Sequence, residues 1–146
     1  MQTTPRLIPF QAQHLLALSF RDGDRRETIR SAVRHETEGP AYTAIGDGMI
    51  LGCAGVALAW PGVGCAWAVL TDDLMKKFPI WTTRTIRYFI NDARRAFNLH
   101  RLEMVALSHN VRWAAALGFV PEQDSTARAF TADRRDAVRL EMTWLS

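Results

Sequence analysis

The sequence predicts a single α+β domain over residues 1–146. It is built on a mixed sheet of about six or seven strands, with a long helix on one face and shorter helices on the other. Three observations lead there. A chain of 146 residues with 48% hydrophobic and 23% charged residues suits one well-buried domain and is short for two. The apolar stretch from Met49 to Leu70 is broken by Gly52, Gly55, Pro61, Gly62 and Gly64, so it reads as a strand hairpin and not as a membrane span. After Pro79 comes the longest helical pattern, flanked on both sides by shorter strand-like segments.

Taken in order, Arg6 to Phe10 reads as a short strand and Gln11 to Phe20 as a helix carrying Leu15, Leu16 and Leu18, ended by Arg21-Asp22-Gly23. Asp24 with Glu27 three residues later resembles a capping box. It opens a second helix with Ile29, Ala32 and Val33 as its apolar stripe, and Gly39-Pro40 stops that helix. Ala41 to Ile45 and Ile50 to Trp60 are strands separated by the hairpin signal Gly46-Asp47-Gly48, and a third strand runs from Gly64 to Thr71. The long helix sets Ile86, Phe89, Ile90, Ala93 and Phe97 on one face and Arg84, Arg87, Arg94 and Arg95 off it, and ends at Asn98. Arg101 to Leu107 is a strand, and Asn110 to Leu117 is a short helix closed by Gly118. The last two strands cover roughly Ala127 to Thr131 and Val138 to Leu145. Trp60, Trp67, Trp81, Trp113 and Trp144 read as core and packing residues.

Charge and cysteine usage narrow the function classes. Eighteen basic against fifteen acidic residues leave a formal +3, mild beside the clustered basic surface of a nucleic-acid binder. The aromatic residues fall in apolar periods without basic interleaving, which also argues against nucleic acid. No basic segment followed by an apolar run opens the chain, so a cytoplasmic location is expected. Trp60-Pro61-Gly62-Val63 suits a tight turn, and pairing Trp60 with Val63 sets Cys53 against Leu70 and Cys65 against Leu58. The two sulfurs do not meet in that register. Both are expected as buried, reduced thiols, and no metal is expected because His, Asp and Glu do not accompany them at ligand spacing.

The order of elements, together with Ser108-His109-Asn110-Val111-Arg112-Trp113-Ala114-Ala115-Ala116-Leu117-Gly118-Phe119, resembles the GNAT superfamily of acyl-CoA dependent N-acyltransferases over nearly the whole chain. Its most recognisable piece is Leu-Gly-Phe after a short helix. A narrower set of residues is similar to small GNAT-like proteins of tailed bacteriophages, including an internal virion protein family. These are Trp67-Ala68-Val69-Leu70-Thr71-Asp72, Phe78-Pro79, Arg84 and Arg112-Trp113. The broad resemblance implies transfer of an acyl group from acetyl-CoA or another acyl-CoA to a small-molecule or protein amine. The narrower one implies a non-catalytic virion component that works in assembly or ejection alongside other virion proteins.

The resemblance also assigns residues. In the superfamily the strand before the long helix splays from its neighbour and offers backbone amides to the pantetheine arm, which here matches Ala68 to Thr71 and so Val69, Leu70 and Thr71. The next loop normally carries glycines that let the backbone approach the pyrophosphate at a helix N-terminus. This chain has none from Asp72 to Thr82 and offers instead Lys76, Lys77, Thr82, Thr83 and, in the first turns of the helix, Arg84. Many members place a tyrosine general acid four residues before the motif's glycine, where this chain has Ala114; Tyr42 and Tyr88 lie elsewhere. His109 with Ser108 remains. Either His109 serves as a base near neutral pH, or Ser108 or Asn110 caps the short helix and His109 stands at its exposed start. Asp72 and Asp73 read as turn or cap residues or as bases. Glu103 points into the splay or lies on a solvent-facing strand side. The arginines of the long helix form either a phosphate- or partner-binding stripe or a solvated face.

Overall fold

The computed structural model describes residues 4–18, 39–107, 111–127 and 137–144. Among them are eleven elements: β1 (Arg6–Pro9), α1 (Ala12–Ala17), β2 (Ala41–Gly46), β3 (Met49–Trp60), β4 (Val63–Leu70), α2 (Asp72–Lys77), α3 (Pro79–Ala96), β5 (Arg101–Leu107), α4 (Val111–Ala116), β6 (Val120–Ala127) and β7 (Ala137–Thr143). The strands form one seven-stranded sheet in the order β1-β2-β3-β4-β5-β7-β6. It is a mixed α+β fold. The helix expected at Asp24 to Val33 lies outside the described residues.

The residues form two compact units. The first takes the described residues of 1–57 and 67–85. Here β1 pairs antiparallel with β2, and β2 with β3 through a turn at Asp47 and Gly48. Both turn residues have positive φ, 51° and 74°, as the hairpin turn that matches strand twist requires. Phe10, Leu15, Leu18 and Cys53 form the core, with Ile50, Trp67 and Val69 packed on it. The Phe10 and Trp67 rings meet edge to face at 5.1 Å.

Under this core runs a buried polar chain. Gln11 N–H donates to His14 Nδ1 at 3.1 Å, so that nitrogen carries a lone pair, and the Thr43 hydroxyl, 2.9 Å away, is a second donor to it. Thr43 Oγ1 then accepts from the Cys53 thiol at 3.6 Å. Thr43 is fully buried and His14 only 9% exposed, so His14 Nδ1 and the Thr43 hydroxyl find their partners inside the protein.

The second unit takes the described residues of 58–66 and 86–146. β4 pairs in parallel with β5 at Val63–Arg101, Gly64–Leu102 and Cys65–Glu103. β5 pairs antiparallel with β7 along its whole length, and β7 with β6. Leu102 and Leu140 are fully buried on one face of these strands. The alternate residues Arg101, Glu103 and Glu141 take the other face, where Arg101 Nε donates to Glu103 Oε1 at 2.7 Å and a guanidinium nitrogen donates to Glu141 Oε2. The arginine keeps two carboxylates paired across β5 and β7 from repelling each other.

Two helices of this unit end in the same device. At α4, Phe119 N–H bonds the Ala114 carbonyl at 3.1 Å and Gly118 N–H the Ala115 carbonyl at 3.0 Å, with Gly118 at φ 107°. At α3, Leu99 N–H bonds the Arg94 carbonyl at 3.0 Å and Asn98 N–H the Arg95 carbonyl, with Asn98 at φ 49°. Each is a Schellman closure, in which a left-handed residue lets the chain fold back onto the last carbonyls. The Leu-Gly-Phe motif thus has a physical basis: Leu117 and Phe119 are buried and the glycine supplies the reversal between them.

Four expectations need correction. Cys65 is exposed, not buried, because it shares the open face of Glu103. Trp60 is 65% exposed at the tip of the β3–β4 hairpin, where the chain reverses. Phe97 lies beyond the last helical residue and is 40% exposed, while Ile90 and Ala93 are buried as expected. The penultimate strand is Val120–Ala127, earlier than Ala127 to Thr131. Its proline suits it because β6 is an edge of the sheet, where Pro121 is tolerated.

Candidate functional site

The segment that the resemblance assigns to a cofactor runs from the end of β4 through α2 into α3, within the first unit. The parallel ladder of β4 with β5 spans three positions, ending at Cys65 and Glu103, and β4 runs on to Leu70. On that stretch Val69 packs against the Phe10 cluster.

Thr71 then turns the chain into α2. Its hydroxyl accepts from Leu74 N–H at 3.2 Å as an N-cap and donates to the Leu51 carbonyl at 2.7 Å, while its own N–H bonds the same carbonyl at 3.0 Å. A cap of this kind is worth about 1 kcal/mol. Asp72 and Asp73 fill the first turn and Lys76 and Lys77 the last, so both charge pairs oppose the helix dipole, and buried Leu74 anchors the turn. Phe78, which precedes Pro79, ends α2. Where the family has a glycine loop, this chain has a capped helix. Asp72 and Asp73 are therefore first-turn residues, and the cap itself is Thr71.

α3 opens with Pro79, which has no N–H to offer. Thr82 N–H bonds the Phe78 carbonyl, so among the described residues the amides of Ile80 and Trp81 are those left for an incoming anion. Thr82 is 1% exposed and its hydroxyl donates to the Phe78 carbonyl at 2.7 Å; the Thr83 hydroxyl donates to the Pro79 carbonyl at 2.9 Å. Lys76, Lys77 and Arg84 are exposed. The positive charge and the two amides fit phosphate groups, whereas the threonine hydroxyls are already used as donors.

In the second unit, Arg87 donates to the Ala116 carbonyl and so holds the end of α4. Arg94 lies 4.7 Å over the Trp144 ring. These two arginines therefore have intramolecular partners. Ala114, at the family's tyrosine position, is fully buried and carries no hydroxyl. Glu103 is engaged by Arg101. Ser108, His109 and Asn110 lie outside the described residues.

Sequence reasoning missed the His14–Thr43–Cys53 chain and a polar cavity lined by Arg94, Arg95, His100 and Trp144. Among the described residues no group of three or more His, Cys, Asp or Glu could hold a metal ion, and no helix is long and apolar enough to cross a membrane.

No family model and no curated protein matches the chain. Solved structures do. An IAA acetyltransferase from Bacillus cereus ATCC 14579 superposes with a TM-score of 0.70 at 17% identity, covering 97% of this chain and 100% of that one. A ribosomal-protein-S5-alanine acetyltransferase from Vibrio fischeri gives 0.65 at 13% identity over 98% and 96% of the two chains. An acetyltransferase of the GNAT family from Bacillus anthracis gives 0.64 at 11% identity over 98% of each. The fold is that of GNAT acetyltransferases. These three neighbours are acetyltransferases and not virion proteins.

Proposed function

We propose that this chain is an acyl-CoA dependent N-acetyltransferase of the GNAT superfamily, acting as a single domain in the cytoplasm on a small-molecule or protein amine. The observation that carries the reading is the short parallel ladder of β4 and β5, inside a sheet that matches acetyltransferases along their full length. A parallel pair that stops at Cys65 and Glu103 is what the family's splay requires. That the neighbours include an enzyme named for a ribosomal-protein alanine supports an amine acceptor.

Bound acyl-CoA supplies an activated thioester. In this reading the amides of Val69, Leu70 and Thr71 flank its pantetheine arm. Lys76, Lys77 and Arg84, with the first-turn amides of α3, hold its phosphates, and Thr82 shapes that turn from within. His109, with Ser108 beside it, takes the proton that the amine gives up on attack. Loss of the glycine cradle makes affinity weak and dependent on lysine charge, hence on salt.

The test is mass spectrometry of a panel of polyamines, amino acids and peptide N-termini after incubation with acetyl-CoA, paired with a thermal melt of the protein in millimolar acetyl-CoA. Acetylated acceptor together with a ligand-dependent rise in Tm is expected; saturation at 100 times Kd adds about 2.7 kcal/mol. No acetylation and no shift would overturn the enzyme reading and leave the virion component, which no observation here favours.

A further inference from the structure

We infer that the second unit carries a separate binding site for a phosphate monoester of small-metabolite size, at the C-terminal end of α3. A cavity of about 460 Å³ opens there, lined by Asn91, Arg94, Arg95, Asn98, His100 and Trp144, with no carboxylate among the described residues that line it. Its size is that of a small-molecule site. Its donors converge: two guanidiniums, two carboxamides and an imidazole.

A helix C-terminus ordinarily repels anions, because its last carbonyls point outward. Here three of the last four carbonyls are engaged. Phe97 N–H bonds that of Ala93, Leu99 N–H that of Arg94 and Asn98 N–H that of Arg95. The backbone's negative end is thus capped by the chain itself, while the side chains of Arg94 and Arg95 remain.

The cationic groups are also held in place. Arg94 is fixed at 4.7 Å over the Trp144 ring, and Trp144 is tied to the loop by its N–H bond to the His100 carbonyl at 2.9 Å. His100 is set by its N–H bond to the Gly62 carbonyl at 2.8 Å and by its ring, which fills the space where a side chain at 62 would begin. Arg95 makes no ion pair or side-chain hydrogen bond among the described residues and is exposed. Two arginines, one oriented and one uncommitted, suit the charge-assisted, forked bonds that phosphate accepts, and Trp144 offers an apolar flank to the organic part. This inference does not depend on the acyl-transfer reading.

The probes are AMP and adenosine, titrated calorimetrically into the full chain at constant ionic strength set with chloride. AMP should bind saturably and adenosine at least about 10-fold more weakly, since a charge-assisted bond to phosphate is worth that factor or more. Arg95→Gln should weaken AMP about 10-fold without moving the ligand-free Tm, because Arg95 is a solvent-exposed side chain. Equal binding of adenosine, no saturable AMP heat, or AMP affinity unchanged in Arg95→Gln would overturn the site. So would a loss in Lys76→Gln in place of Arg95→Gln, because it would put the ligand at the opposite end of α3.

Discussion

Thr43 Oγ1 lies 2.9 Å from Nδ1 of His14, and the direction of that bond is fixed by a third group: Gln11 N–H can only donate to the same nitrogen. Thr43→Val keeps the shape and deletes the hydroxyl, leaving the Cys53 thiol without its acceptor. The expected loss in urea unfolding is about 1–3 kcal/mol, the cost of unsatisfied buried polar groups. Thr43→Ser, which keeps the hydroxyl, should lose less. A neutral valine variant would show that the chain is incidental to stability.

The same chain predicts a pH dependence. Burial pushes the Cys53 thiol up from its ordinary 9.0. Above pH 9.0 the unfolded chain has lost the proton that the folded chain still holds, so the folded state binds more protons there. Stability due to this group is therefore full below pH 9.0 and falls as pH rises toward the folded-state value. Wild type should lose stability faster between pH 8.5 and 10.5 than Cys53→Ala measured alongside it. Parallel curves would contradict the assignment. Native protein should also show one reactive thiol, the exposed Cys65, and a second only in denaturant.

Gly62 is required twice over. Its φ of 84° is left-handed, and a Cβ built there would lie 2.4 Å from His100 Nδ1. Gly62→Ala should cost about 1–3 kcal/mol from backbone strain and the clash together. Removing the ring in Gly62→Ala/His100→Ala should recover part of that cost, a coupling that a double-mutant cycle reads directly. Strict additivity would mean that the turn's φ alone demands glycine.

How far the sequence reaches is visible at the ends of α3. Ile90 and Ala93 follow from the 3.6-residue period, and both are buried. Phe97 continues that period on paper but falls after Ala96, where the chain turns back through Asn98, so its ring is partly exposed. Ile90→Ala should accordingly cost about 2–5 kcal/mol by chemical denaturation and Phe97→Ala clearly less; the reverse order would reject the assigned face.

The hairpin β2–β3, the strand Arg101–Leu107 and the closure at Gly118 were legible because each is set by local chemistry: positive-φ turn residues, alternation, a left-handed cap. α2 was not, since six residues give no period. Its signal was a threonine followed by two acids and then two lysines. The cavity at α3 was invisible for another reason. Trp144 meets Arg94 through its ring and His100 through its backbone N–H, long-range contacts that no local pattern encodes.

The remaining prediction concerns the proton in the proposed transfer. An amine must shed one to attack a thioester, and the strand residues 63–70 include no carboxylate to take it. Glu103, the nearest acid along the ladder, is committed to Arg101 by a 2.7 Å bond and shares that arginine with Glu141. Ala114 stands where a family tyrosine would be and is fully buried. In the proposed reading the base is His109, since among the described residues Glu103 is engaged and Ala114 carries no acid. General base catalysis contributes about 100- to 10,000-fold, so His109→Ala should lower kcat by at least the smaller factor while acetyl-CoA affinity and Tm stay unchanged. The residual activity should rise with pH where wild type levels off, because hydroxide and free amine replace the missing base. A fully active His109→Ala would move proton removal to water or to Glu103, and Glu103→Gln assayed for the same pH profile would decide between them.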